Sequence, residues 1–202
     1  RRWIAGLTLA QALNVVEDLN RRGFFTTLDH LGEDVTNETE ANTATDQYIA
    51  ILHALKEKKL DRNVSVKLTQ LGLAIDPELC TKNLGRIVSA AVEIGGFVRV
   101  DIEGSQWTTA TFDVVRKVKT NAAPVGAAVQ AMLMRSPEDV AGLIDRDIPI
   151  RLCKGAYKEP PSIAHQKHED IVKHYIALMK RMLTSGIYHG IATHDENIIE
   201  AA

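Results

Sequence analysis

Cysteine is scarce. Cys80 and Cys153 are the only two in 202 residues, they fall in different predicted elements, and their spacing matches no metal-ligand pattern. A disulfide framework is therefore excluded as the basis of the fold, a reducing compartment fits, and both thiols read as small core hydrophobes. The seven histidines follow no ligand spacing, so no metal is expected. Long runs of one charge are also missing. The 24 basic and 26 acidic residues are spread along the chain for a net charge of −2, which argues against a nucleic-acid partner. The most apolar run, Ala122 to Met134, is too short to span a bilayer and is broken by Gln130. No linker rich in Pro, Gly or Ser divides the chain, so residues 1–202 read as a single domain. Its opening Arg1-Arg2-Trp3 reads as the start of a helix in a cytosolic or matrix-type protein.

What is present is a regular alternation. With 45% hydrophobic residues the chain can bury a sizeable core. Near-helical spacing over residues 7–21 ends at Gly23, and a strand is expected over 24–29. Thr39 or Asn37 can cap a helix over about 40–59, and strict alternation over 64–70 predicts a strand. Asp76-Pro77-Glu78 is a helix start, with a capping side chain, a proline at the first turn and an acid at the positive helix end. That helix stops near Gly95-Gly96. Strand 97–103, helix 108–119 and strand 125–133 follow, and Ser136-Pro137-Glu138 repeats the start signal. The strand Ile148 to Cys153, a helix over 163–185 and a strand over 189–195 complete six βα repeats. Parallel strands with right-handed helical crossovers leave a doubly wound sheet or a (β/α)8 barrel. The missing G-x-G-x-x-G turn weakens the first, and a full barrel needs about 250 residues and eight units.

Strand parity carries the functional reading. Val64, Val66 and Leu68 alternate with Ser65, Lys67 and Thr69; Val98, Val100 and Ile102 with Arg99, Asp101 and Glu103; Val129 with Gln130; Ile150 and Leu152 with Arg151. If the aliphatic set faces the helices, then Lys67, Asp101, Gln130 and Arg151 share the other face, near the strand ends where parallel α/β folds place their sites. The strand of Arg151 runs out into Lys154-Gly155-Ala156-Tyr157, which offers a close backbone approach, a charge and a ring. Structural pairing is the plain alternative: Lys67 with Asp101 as a buried ion pair, and Gln130 with Arg151 satisfying each other. A second alternative makes Lys67 or Lys154 the amine nucleophile of a Schiff-base lyase or aldolase. A third is a non-catalytic barrel fragment.

The stretches Leu28-Asp-His-Leu-Gly-Glu33, Ser65-Val-Lys-Leu-Thr-Gln-Leu-Gly72, Arg99-Val-Asp-Ile-Glu-Gly-Ser105, Val129-Gln130 with Arg135-Ser136, Arg151-Leu-Cys-Lys-Gly-Ala-Tyr157 and Ala192-Thr-His-Asp-Glu196 resemble the proline dehydrogenase family, in the family's order. The resemblance implies a (β/α)8 barrel, here with about six βα units, that holds FAD, oxidises L-proline to Δ1-pyrroline-5-carboxylate and passes electrons to a quinone. It implies a cytoplasmic protein, peripheral at the inner membrane where the quinone lies, or a matrix protein in a eukaryote. Carried over by position, Arg151 is similar to the arginine beside flavin N5 and Asp101 to its companion in catalysis. Lys67 matches the lysine that helps bind the proline carboxylate, Tyr157 the aromatic beside the substrate, and Glu33 the gate glutamate. Ile102, Gln130, Lys154, Gly155, Ala156, Thr193 and His194 match flavin contacts. The family's further strands, and a last helix whose arginines grip the substrate, have no counterpart before Ala202. The expectation is therefore a chain incomplete at its C-terminus, with Glu33 unpaired and turned to solvent.

Overall fold

The computed structural model describes residues 4–32, 35–120 and 123–202. The expected helix start at Arg1-Arg2-Trp3 and the gate position Glu33 lie outside the described residues. Six βα repeats are present, and the strands are taken in the order of the sequence. The chain forms two compact units, Arg1–Val98 with Thr120–Pro124, and Arg99–Lys119 with Val125–Ala202. Among the described residues no helix is long and apolar enough to cross a membrane.

In the first unit, α1 (Leu9–Arg21) is capped by the Thr8 hydroxyl and followed by Gly23 at φ +85°. Next come β1 (Leu28–Asp29), α2 (Glu38–Glu57), β2 (Asn63–Val66) and α3 (Pro77–Ile94). Asn37, not Thr39, caps α2 by accepting the Glu40 N–H at 3.0 Å. Asp76 caps α3 by accepting the Glu78 N–H at 3.0 Å, and Gly95 closes that helix in the left-handed conformation. The strands β1 and β2 are parallel, with Leu28 opposite Val64. Helix α2 packs on α3, and Tyr48, Leu52, Leu55, Val64, Val66, Leu84 and Ile87 are fully buried.

All the strands end earlier or start later than the sequence suggests, β6 spanning only Gly190–Ile191 and β3 ending at Val100, and the causes are plainest at β1 and β2. Phe24 and Phe25 do not pair: the Phe24 N–H returns to Leu19 O at 3.0 Å, and the Thr26 N–H donates to Asp61 Oδ2 at 2.8 Å. With the amides spent on a helix end and a side chain, Phe25 stands 93% exposed. After Val66 the chain turns, because Leu71 and Leu73 both donate to Leu68 O. Side chains of α3 take up the turn's carbonyls, Cys80 at Leu68 O and Asn83 at Leu71 O. Leu68, Leu71 and Leu73 are all buried there, so the period of two is lost.

Strand β3 (Phe97–Val100) leads into the second unit, which holds α4 (Ser105–Val118), β4 (Val125–Gln130), α5 (Ser136–Ile144), β5 (Ile150–Cys153), α6 (His168–Leu183), β6 (Gly190–Ile191) and α7 (Glu196–Glu200). Strands β4, β5 and β6 are parallel neighbours, with Ala128 opposite Arg151 and Arg151 opposite Gly190. Helices α4 and α5 pack on β4 and α6 on β5, where the Tyr175 hydroxyl donates to Leu152 O at 2.8 Å. Strand β4 stops at Gln130, since the Leu133 N–H folds back to Gln130 O. Ser136 is not a cap. Its hydroxyl donates to Gln130 O at 2.5 Å, and Arg135 occupies the cap position. Helix α6 begins at His168 rather than 163, because Ile163 and Ala164 both donate to Pro160 O in a turn.

Candidate functional site

The ends of four strands in the second unit meet around a cavity of about 320 Å³. Ile102 follows β3, Gln130 ends β4, Cys153 ends β5 and leads into Lys154-Gly155-Ala156-Tyr157, and Ala192-Thr193-His194 follows β6. This is the carboxyl edge, where parallel strands deliver their loops to one place. All seven positions expected to touch a flavin on grounds of resemblance besides Arg151 line this one cavity, and so does Tyr157, 40% exposed.

Its walls are closely fitted. Gly155 sits at φ +111°, and a Cβ there would stand 2.5 Å from Met132 Sδ and 3.0 Å from Gln130 Oε1. Glycine is required on both counts. The Gln130 amide donates to Glu103 O at 3.0 Å, whereas its Oε1 is buried with no hydrogen-bond partner among the described residues. An unmatched buried acceptor costs about 1–3 kcal/mol, so a ligand bringing a donor to that wall would be favoured. The Cys153 thiol donates to Val129 O at 3.3 Å, and burial pushes its pKa up, so it stays a thiol.

Arg151, on the face of β5 opposite Ile150 and Leu152, pairs through Nη2 with Asp101, the residue after β3. Strand parity put these two on one face, but the pairing suggested for Asp101 was with Lys67, and the contact with Arg151 was not foreseen. Gln130 and Arg151 do not satisfy each other, since the amide goes to Glu103 and the guanidinium to Asp101. A second guanidinium, Arg99, donates to Pro149 O at 2.5 Å and Ala127 O at 3.3 Å. Burial, then the charge of Arg151, lower its pKa to about 9, which still leaves it cationic near neutrality.

Lys154 Nζ pairs with Asp195 Oδ2 at 2.6 Å, and His168 Nε2 lies 3.3 Å from the same oxygen. The lysine hydrogen bond lowers the Asp195 pKa against the opposing effect of desolvation, and Asp195 also caps α7. Among the described residues no group of three or more His, Cys, Asp or Glu could hold a metal.

In the first unit Lys67, just past β2, pairs with Asp29 Oδ2 at 3.2 Å. The Tyr48 hydroxyl donates toward Asp29 Oδ1 at 3.1 Å, with His30 O and Gln70 Oε1 also within 3.2 Å. Burial, then the Asp29 charge, raise the Tyr48 pKa and keep the phenol neutral. Asp29 and Asp195 escaped the sequence reading as site residues, although both lie inside stretches that it singled out. Cys153 and Ala192, which share the cavity wall, escaped it too.

The family profile described as Proline dehydrogenase matches residues 12–202. "Proline dehydrogenase 1" of Bacillus subtilis subsp. natto is 36% identical over 200 residues, 99% of this chain and 66% of the relative. "Proline dehydrogenase" of Deinococcus radiodurans is 33% identical over 204 residues, 98% of this chain and 66% of the relative. The chain thus spans about 66% of the length of these relatives. A crystal structure of proline utilization A from Bdellovibrio bacteriovorus, inactivated by N-propargylglycine, superposes with a TM-score of 0.87 at 24% identity, covering 98% of this chain and 26% of that one. That likeness establishes the fold as the (β/α)8-barrel type. With the profile matching nearly end to end and relatives above 30% identity, the chain belongs to the proline dehydrogenase family.

Proposed function

We propose that this chain belongs to the catalytic domain of an FAD-dependent enzyme that oxidises L-proline to Δ1-pyrroline-5-carboxylate in proline catabolism and delivers the electrons to a quinone. The observation that carries the reading is the gathering of Ile102, Gln130, Lys154, Gly155, Ala156, Thr193 and His194 around one cavity. The tight cradle at Gly155 and the buried Gln130 Oε1 suit a flat ligand with hydrogen-bond donors on its rim. Bound there, FAD would take up the hydride from proline at N5. The residues do the rest. Arg151, held by Asp101, supplies a fixed positive charge that stabilises a reduced, anionic ring system. Lys67, held by Asp29, supplies a cation for the substrate carboxylate, and Tyr157 a ring for the substrate wall. Glu33 would act as the gate. Quinone reduction calls for peripheral contact with a membrane, from the cytoplasm or a mitochondrial matrix.

The Schiff-base alternative loses ground to the same geometry. An amine nucleophile must be free to attack a carbonyl, and Lys154 and Lys67 are each engaged with a carboxylate, at 2.6 Å and 3.2 Å. Visible absorbance of the purified protein separates the two readings. A yellow protein whose flavin bands bleach on addition of L-proline is expected. A colourless protein trapped by borohydride with a carbonyl substrate would sink the flavin reading.

A further inference from the structure

The loop that leaves β5 forms one wall of the cavity, and its middle is exposed: Ala156, Tyr157 and Lys158 all face solvent. Glu159 departs from this pattern. It is half-buried between exposed Lys158 and Pro160, and both carboxylate oxygens are used. Oε1 accepts the Ser105 N–H at 2.7 Å, and Oε2 accepts the Ser105 hydroxyl at 2.6 Å. Ser105 is the first residue of α4, and that helix has no side-chain cap of its own, because its N-cap is Gly104. A carboxylate from 54 residues away therefore does the capping, where the N-terminal N–H groups and the helix dipole favour negative charge. The near end of the loop is fastened in the same way. Lys154 Nζ pairs with Asp195 at 2.6 Å, and the Lys154 carbonyl accepts the Met132 N–H at 2.9 Å.

We propose that Glu159 is a positioning residue: bound to the start of α4, it clasps the Lys154–Tyr157 wall against the segment carrying Asp101 and Ile102, and so holds the cavity in its ligand-binding shape. The inference rests on the flavin reading of that cavity. Ile102 lines the cavity three residues before Ser105, so the clasp joins two of its walls directly.

The test uses the FAD-loaded protein and the variants Glu159→Ala, Glu159→Gln and Glu159→Ala with Gly104→Ser. Two quantities are read: the rate of FAD loss, from the fluorescence of released flavin, and hydrogen exchange of the peptide covering residues 154–159. Glu159→Ala should speed both by about tenfold or more, the scale of losing charge-assisted hydrogen bonds. Glu159→Gln, which keeps an acceptor for the Ser105 N–H, should recover part of each. The Gly104→Ser change gives α4 a cap of its own and repairs the helix without reattaching the loop. FAD loss and loop exchange should therefore stay fast in that variant. Their return to wild-type values would show that Glu159 only caps the helix and would overturn the proposal, as would unchanged exchange in Glu159→Ala. A wild-type protein that holds no FAD, yet whose loop exchange responds to Glu159→Ala, would uphold the clasp and remove the flavin reading instead.

Discussion

At the scale of the residue, the fixed guanidinium of Arg151 invites the sharpest substitution. Arg151→Lys keeps the charge but loses the planar fork that engages Asp101. Turnover of proline should fall by about a hundredfold, the cost typical of a reacting group misplaced by about 1 Å, while flavin content stays near wild type. Steady-state kinetics alongside the flavin-to-protein absorbance ratio checks both halves. His189 supplies a pH test. Its Nδ1 accepts the Ile150 N–H at 2.9 Å, and burial, then the charge of Arg99, lower its pKa from 6.5. The folded state then binds fewer protons than the unfolded one. The stability this contributes is present above the unfolded value and is lost as pH falls through the lower folded value. Thermal unfolding midpoints should therefore drop on going from about pH 7 to pH 5, and less so in His189→Asn, which keeps an acceptor but does not titrate. The facing of Asp101 and Arg151 was legible in strand parity. The pairing of Lys67 with Asp29 was not, because parity says which face a side chain takes and nothing of a partner 38 residues away.

At the scale of the element, starts and stops were read well where a side chain or a backbone conformation enforces them. Asp76 and Gly95 bound α3 as expected, since capping chemistry and a left-handed φ are local properties. Asp76→Ala should cost about 1 kcal/mol, measurable as a shift in the urea midpoint with an unchanged slope. Strand ends were read too long. Alternation at Lys67 to Gln70 and at Asp101 to Glu103 continues in the sequence after pairing has ceased. What ends β2 is the claim of α3 side chains on the carbonyls of Leu68 and Leu71, a tertiary effect. Helix α4 was placed three residues late for the same kind of reason: its cap is Glu159, and no local pattern announces it.

At the scale of the whole molecule, each unit, taken by itself, carries different side chains at the two ends of its strands. Asp29, Lys67, Asp101, Gln130, Lys154 and Thr193 lie at or just past the carboxyl ends of their strands. The amino ends hold structural networks: Asp61 Oδ2 accepts from Asn20 Nδ2 at 2.6 Å and from the Thr26 N–H at 2.8 Å in the first unit, and Arg99 and His189 tie carbonyls and an amide in the second. Asp61→Ala should thus lower stability by about 1–3 kcal/mol in denaturant titration and leave the Michaelis constant for proline unchanged. The division also bears on how the protein ages. If the proposed flavin chemistry holds, turnover in air exposes the cavity to peroxide, and a thiolate there would be the first casualty. Cys153 sits in that wall as a half-buried thiol, its proton directed to a backbone carbonyl, so the attackable thiolate is kept rare. Mass spectrometry after repeated turnover should find Cys153 far less oxidised than a solvent-exposed cysteine, and the working lifetime set by some other lesion.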